Sequence, residues 1–268
     1  MPTRPAFLLV HGSWHDGDAW SDVRPQLAAA GYRALAPTLP GHAQRAQRAG
    51  VTHDDYVAAV TAALDAVDGP AVLVGHSFAG SIISRVAELR PERCAGLIYY
   101  SAFVPRDGER VGDSLPADMI EFLDAAAAAS ADGSIALPYE LFRDAFANTA
   151  DEATARSLHG RLVPEPHGPI FEPLSLPHAA RDTIPTSYIA CRADRALPPG
   201  SFHPGQSGRL HAPALIEIDG DHDALLTAPH RLAWALLECL HPDEQVSRAA
   251  VSPIARADPR PALTERSR

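Results

Sequence analysis

Lysine is missing from this chain: all 23 of its basic residues are arginine. That excludes Schiff-base catalysis and the phosphate-cradling P-loop, both of which need an ε-amino group. The sequence is also short of positive charge, with a formal net charge of -10. Nucleic acid and anionic membrane surfaces are therefore poor partners, because binding phosphates needs a basic face; a small neutral molecule suits the chain better. Cysteine is scarce. Cys94, Cys191 and Cys239 are odd in number, far apart and without a C-x-x-C pair, which argues against a disulfide framework or a zinc site and for buried thiols. Long apolar runs are lacking too. Ala6 to Val10 is too short for a signal-peptide core or a membrane span, so a soluble, cytoplasmic protein is expected.

What is present is an ordinary globular composition, 46% hydrophobic and 21% charged over 268 residues. That is enough for one sizeable α/β domain with room for an inserted cap. The chain is organised around AVLVGHSFAG, residues 71 to 80. Ala71 to Val74 has the unbroken apolar character of a strand covered on both faces, and Gly75 is expected to break it. Ile82, Ile83, Val86 and Leu89 then recur at helical spacing until Arg90-Pro91. Ser77 falls on the turn between strand and helix. A sharp turn there strains the backbone and requires small residues two before and two after, here Gly75 and Ala79.

Taken in order, the pattern predicts a strand at Ala6 to Val10, a helix from Trp20 to Ala30 closed by Gly31, and a strand from Arg33 to Ala36. A loop follows to Gly50. Thr52 and Asp55 form a capping-box start for a helix reaching about Val67. After the central strand and helix comes a strand at Gly96 to Ser101, the rhythm of a mostly parallel sheet. From about Pro105 to Ile184 there are helix-like pieces, including Ala125 to Ala129 and Tyr139 to Ala147, but no convincing strand. Strands return at Ser187 to Cys191 and Ala214 to Ile218, and a last helix runs from Pro229 to Cys239. The domain expectation is a core of residues 1–104 and 185–242, a helical cap of 105–184 and a flexible tail of 243–268. No repeat or second domain is visible.

A serine nucleophile needs a histidine base, itself oriented by a carboxylate. On a sheet of this kind these follow in the order serine, acid, histidine at the carboxyl ends of strands. Asp194 and His222 meet that requirement. Asp221 and Asp223 flank His222 but are badly placed to face it, and Asp182 and Asp219 are weaker still. His76 should point away from Ser77; His11, His15, His42, His53, His178 and His230 read as surface or loop residues. A developing oxyanion needs two backbone donors. Phe78 N–H at the helix start is one candidate, and Ser13 N–H, in the loop after the first strand, is the other.

With HGSWHDGDAW at 11 to 20, GHSFAG at 75 to 80, LIYYSAFVP at 97 to 105, CRADRALP at 191 to 198 and DGDHDALLTAPHRLA at 219 to 233, the chain resembles the plant methylesterase and hydroxynitrile lyase branch of the α/β-hydrolases. The resemblance runs from Ala6 to about His241. It implies an α/β-hydrolase fold, a mostly parallel sheet flanked by helices with an inserted helical cap. It also implies a triad of Ser77, Asp194 and His222, oxyanion donors at Ser13 and Phe78, and an apolar pocket with no metal and no cofactor. Gly12, Trp14, Phe103, Met119, Phe122 and Phe142 are the candidate substrate contacts; Phe146 and Phe171 could also line a pocket. Ala79 stands where this pattern usually has glycine.

The expected activity is hydrolysis of a carboxylic ester of a small, largely apolar or aromatic substrate. The alternatives are a lactonase or cyclase acting on a polyketide-like ester, and a ligand-binding protein whose triad is idle. Small-molecule binding leaves room for a homodimer. In the lyases of this branch a lysine follows the histidine and a threonine replaces the glycine of the His-Gly pair. Here Asp223 and Gly12 occupy those positions, so cyanohydrin cleavage is not expected.

Overall fold

The computed structural model describes residues 4–200 and 202–240. The tail expected at 243–268 lies outside the described residues. Six parallel strands form the central sheet: β1 (Ala6–Val10), β2 (Ala34–Leu35), β3 (Ala71–His76), β4 (Cys94–Tyr100), β7 (Thr186–Cys191) and β8 (Ala214–Ile218), in the order β2-β1-β3-β4-β7-β8. Every residue of β1 and β3 is buried, as strands covered on both faces require. Two apolar layers cover the sheet. One includes Tyr56, Ile82, Ile83 and Val86, the other Trp20, Leu27, Leu232 and Leu236.

Several elements depart from the sequence pattern for identifiable reasons. Gly75 does not end its strand; β3 continues through Gly75 and His76, paired with Tyr99 and Tyr100 of β4. The helix expected from Trp20 is a 3-10 turn at Gly17–Trp20 followed by α1 (Arg24–Ala29), because Pro25 has no N–H to donate to an earlier turn. Gly31, at φ +84, terminates α1. The capping box holds at α2 (His53–Asp65), where Thr52 Oγ1 accepts from Asp55 N–H at 3.2 Å and Asp55 Oδ2 accepts from Thr52 N–H at 2.9 Å. Helix α3 (Ala79–Leu89) is buried along most of its length, although Leu89 at its end is exposed.

Residues 105–184 contain α4 (Ala117–Ala129), a turn at α5 (Tyr139–Leu141), α6 (Glu152–His159) and α7 (Gly168–Phe171). They also contain strands, contrary to expectation: β5 (Ser134–Ile135) pairs antiparallel with β6 (Glu165–Pro166). Each is two residues long, too short for alternation to be visible in sequence. The helix expected at Tyr139 to Ala147 winds into a π turn at Phe142–Phe146. The chain ends its described part with α8 (Ala224–Thr227) and α9 (Pro229–Glu238). Among the described residues no helix is long and apolar enough to cross a membrane.

Candidate active site

Ser77 sits between β3 and α3 with φ +54, a left-handed conformation that a non-glycine residue holds only when its surroundings enforce it. Three backbone hydrogen bonds do so. Ser77 N–H donates to Tyr100 O at 3.1 Å, and Ser77 O accepts from Gly80 N–H at 3.2 Å and Phe103 N–H at 3.1 Å. A Cβ on Gly75 would lie 2.7 Å from Ala79 O, and one on Gly80 would lie 2.1 Å from Phe103 O. The turn therefore needs glycine at 75 and 80, while position 79 accepts the methyl of a fully buried alanine. Beneath the serine lies Gly12, where a Cβ would meet Ser77 Cβ at 2.9 Å. The β1–β3 register, with Val10 opposite Gly75, puts that glycine opposite the serine.

Strand pairing also assembles the other two side chains. β7 and β8 pair up to Cys191 and Ile218, and the pairing carries on past the strands through Arg192 N–H to Ile218 O and Ala193 N–H to Gly220 O, both 2.9 Å. This zipper delivers Asp194 to His222. The His222 Nδ1–H donates to Asp194 Oδ2 at 2.9 Å, and Leu197 N–H donates to Asp194 Oδ1 at 2.8 Å. Burial pulls the His222 imidazolium down, but the charge and hydrogen bond of Asp194 outweigh it and leave the pKa raised. The His222 backbone is fixed from below, its carbonyl accepting from Tyr100 OH at 2.7 Å and from His76 Nε2–H at 3.0 Å. Arg192 is engaged elsewhere, on Glu217 and Asp219 at the surface.

The flanking acids have other partners. Asp221 Oδ2 accepts from Thr149 N–H and Oγ1–H at 3.0 and 2.6 Å, and its Oδ1 accepts from Thr227 at 2.6 Å. Asp223 Oδ1 accepts from His15 Nε2–H at 3.0 Å. His15, His76 and Asp223 bring ligand-type atoms within 4.8 Å of one another, the one such group among the described residues. His76 Nε2–H donates to the His222 carbonyl and His15 Nε2–H to Asp223 Oδ1, while His76 Nδ1 and Asp223 Oδ2 are buried without a hydrogen-bond partner among the described residues.

Of the histidines expected at the surface or in loops, His11, His15 and His42 lie in loops but are buried, and His53, at the start of α2, is buried too; His76, expected to point away from Ser77, is likewise buried. Burial, first of all, depresses the pKa of His11 and His76 well below normal and that of His53 to about 4. Neutral His11 then has one tautomer that fits. Its Nε2 accepts from Leu39 N–H at 3.1 Å while its Nδ1–H donates to Gly12 O at 2.9 Å. Gly12 O belongs to the same planar peptide as Ser13 N–H, so holding one aims the other. Among the described residues neither Ser13 N–H nor Phe78 N–H donates to a protein acceptor, and both residues line the same cavity as Ser77 and His222.

That cavity encloses about 160 Å³, close to the ~150 Å³ of a protein cavity that takes up benzene. Of the expected substrate contacts, Trp14, Phe103 and Met119 line it, as does Phe146, whose ring meets Trp14 edge-on at 5.6 Å. Three expected contacts lie outside the lining. Phe142 is fully buried and packs on Phe146 and His159. Phe122 is half-buried and packs against the core, and Gly12 lies under Ser77 rather than on the surface. Phe171 packs against Gly112 instead. Leu141, Ile170 and Leu197 complete walls that no local signal marks. Arg195, exposed, is the one arginine of the lining, and no carboxylate lines it. Asp223, where the lyases of the resemblance have lysine, is turned toward His15 and does not line the cavity.

The family model described as the alpha/beta hydrolase family matches residues 7–236. A carbendazim-hydrolysing esterase from Nocardioides sp. is 29% identical over 86% of this chain and 97% of its own length. Salicylic acid-binding protein 2 from Nicotiana tabacum is 27% identical over 88% of this chain and 96% of its own. Among solved structures, an extracellular α/β-hydrolase from a Paenibacillus species superposes with a TM-score of 0.83 at 34% identity, covering 88% of this chain and 99% of that one. A serine raised on a strained turn over a parallel sheet, in a chain matched along nearly all its length, leaves one assignment: this protein belongs to the α/β-hydrolase family.

Proposed function

We propose that the protein hydrolyses a carboxylic ester of a small, largely apolar or aromatic substrate through an acyl-enzyme on Ser77. The observation that carries the reading is the strained serine at φ +54 facing the same cavity as a histidine whose far nitrogen is held by Asp194 at 2.9 Å. Esterases among the relatives support it. Ser77 Oγ attacks the ester carbonyl carbon while His222 Nε2 takes its proton, and the carbonyl electrons move onto oxygen. Ser13 N–H and Phe78 N–H receive that oxyanion, each worth about 10² to 10³ in rate. Collapse expels the alcohol with the proton from His222, and water repeats the sequence to release the acid.

The apolar walls select the substrate by size and hydrophobicity, and one ring is about what the cavity holds. Cyanohydrin cleavage is a poor fit because no lysine follows His222 and the chain has none to supply. Treatment with a fluorophosphonate should add one phosphonyl group at Ser77, read by peptide mass spectrometry, and Ser77→Ala should abolish both labelling and aryl-ester turnover. An unlabelled wild type that still binds small aromatic esters would favour a binding protein with an idle triad.

A further inference from the structure

Trp14, directly after Ser13, holds φ +63, a left-handed conformation that a bulky side chain does not keep unaided. All three of its polar handles are gripped by the cap. Trp14 N–H donates to Glu165 Oε2 at 3.2 Å, Val163 N–H donates to Trp14 O at 2.9 Å, and Trp14 Nε1–H donates to Ile135 O at 3.0 Å. Two of these partners are backbone atoms that any sequence supplies. Glu165 is the exception. It is a fully buried carboxylate that also accepts from His42 Nε2–H at 2.8 Å and Tyr56 OH at 3.1 Å. It thus ties β6 to the loops leaving β1 and β2 and to α2. A buried ion is a poor way to gain stability alone, since apolar residues of similar volume often serve as well.

We infer that Glu165 is a positioning residue for the oxyanion loop, holding the Ser13–Trp14 peptide so that the preceding Ser13 N–H stays directed into the cavity. His11 fixes that donor from the upstream side through Gly12 O, and Glu165 fixes it from the downstream side. The cap then does more than cover the pocket: without its β5–β6 strand pair in place, one of the two donors loses its aim. Close packing of β6 on the loop leaving β2 fits this role, for a Cβ on Gly41 would lie 2.7 Å from Pro166 Cγ.

The inference rests on the proposed hydrolysis at Ser77, and the test separates the two. Glu165→Leu removes the acceptor at similar volume; Glu165→Gln keeps an oxygen for Trp14 N–H but loses the charge that strengthens the bond. Each is compared with wild type for aryl-ester kcat and KM and for affinity toward a trifluoromethyl ketone. Ser77 adds to its carbonyl to give a tetrahedral oxyanion, with the serine proton passing to His222. Expected is a kcat loss of about 10- to 100-fold for Leu and about 3- to 10-fold for Gln, scaled from the loss of a whole donor. KM should stay within about two-fold, and ketone affinity should weaken by the same factor as kcat. Should the Leu variant not fold, the Gln variant carries the decision. A folded variant with unchanged kcat and ketone affinity, or one in which KM rises alone, overturns the inference. A wild type that neither turns over ester nor binds the ketone overturns the hydrolase reading and this one with it.

Discussion

Two buried histidine–aspartate pairs lie side by side in this molecule, His222 with Asp194 at 2.9 Å and His15 with Asp223 at 3.0 Å. In both, burial opposes the imidazolium and the carboxylate more than compensates, so both histidine pKa values are raised. Pair chemistry alone does not separate them. What separates them is direction: His222 lines the cavity beside Ser77, whereas His15 and Asp223 face each other away from it, the His15 ring stacked on His76 with centroids 5.9 Å apart. One pair can move a proton to a substrate. The other holds up the loop that carries it.

Asparagine at 194 gives the sharpest contrast. Asp194→Asn should lower kcat by about 10³ to 10⁴ while thermal unfolding shifts little, because it disables the base without emptying space. Asp223→Ala should do the reverse: a loss of about 3–5 kcal/mol in denaturant unfolding, since it leaves His15 buried and unpaired, with kcat of the folded fraction within about ten-fold of wild type. If Asp223→Ala costs activity as Asp194→Asn does, with stability intact, the roles assigned to the two pairs must be exchanged.

The smallest expected effect is one of pH. A base must be neutral to accept the serine proton, and a raised His222 pKa keeps it protonated to a higher pH. The acid limb of kcat/KM should therefore have its midpoint above the ordinary 6.5 of histidine, and Asp194→Asn should move the residual activity's midpoint down. The His15 pair enters stability instead. Its raised folded pKa means that its contribution is fully present below the unfolded value and is lost as pH rises through the folded one. In Asp223→Ala that loss should vanish from a plot of unfolding free energy against pH. A kcat/KM midpoint that moves with Asp223→Ala and not with Asp194→Asn would merge the two pairs into one functional unit.

The strand–serine–helix pattern, the order of acid and base, and all six strands of the central sheet were legible because each is a local signal: apolar runs, small residues around a strained turn, and spacing along one chain. The cap was less so. Glu165 has no neighbour in sequence that explains it, and Phe142 and Phe146, four residues apart, look alike until a π turn sends one into the core and the other into the cavity wall. The burial of His11, His15, His42 and His53 was illegible for the same reason, since such partners lie up to 208 residues away, as Asp223 does from His15.

The order of residues along the chain therefore sets the fold family and the kind of chemistry available. A lysine-free, acidic chain with one serine on a tight turn admits few reactions, and a covered strand followed by an amphipathic helix admits few topologies. Packing in three dimensions sets which of two histidine–aspartate pairs meets the cavity, which phenylalanines form its walls, and that Ile135, Val163 and Glu165 hold Trp14 beside Ser13. Those outcomes depend on direction and on contacts between distant segments. Residue type and spacing carry neither, because a side chain's orientation is set by what packs against it.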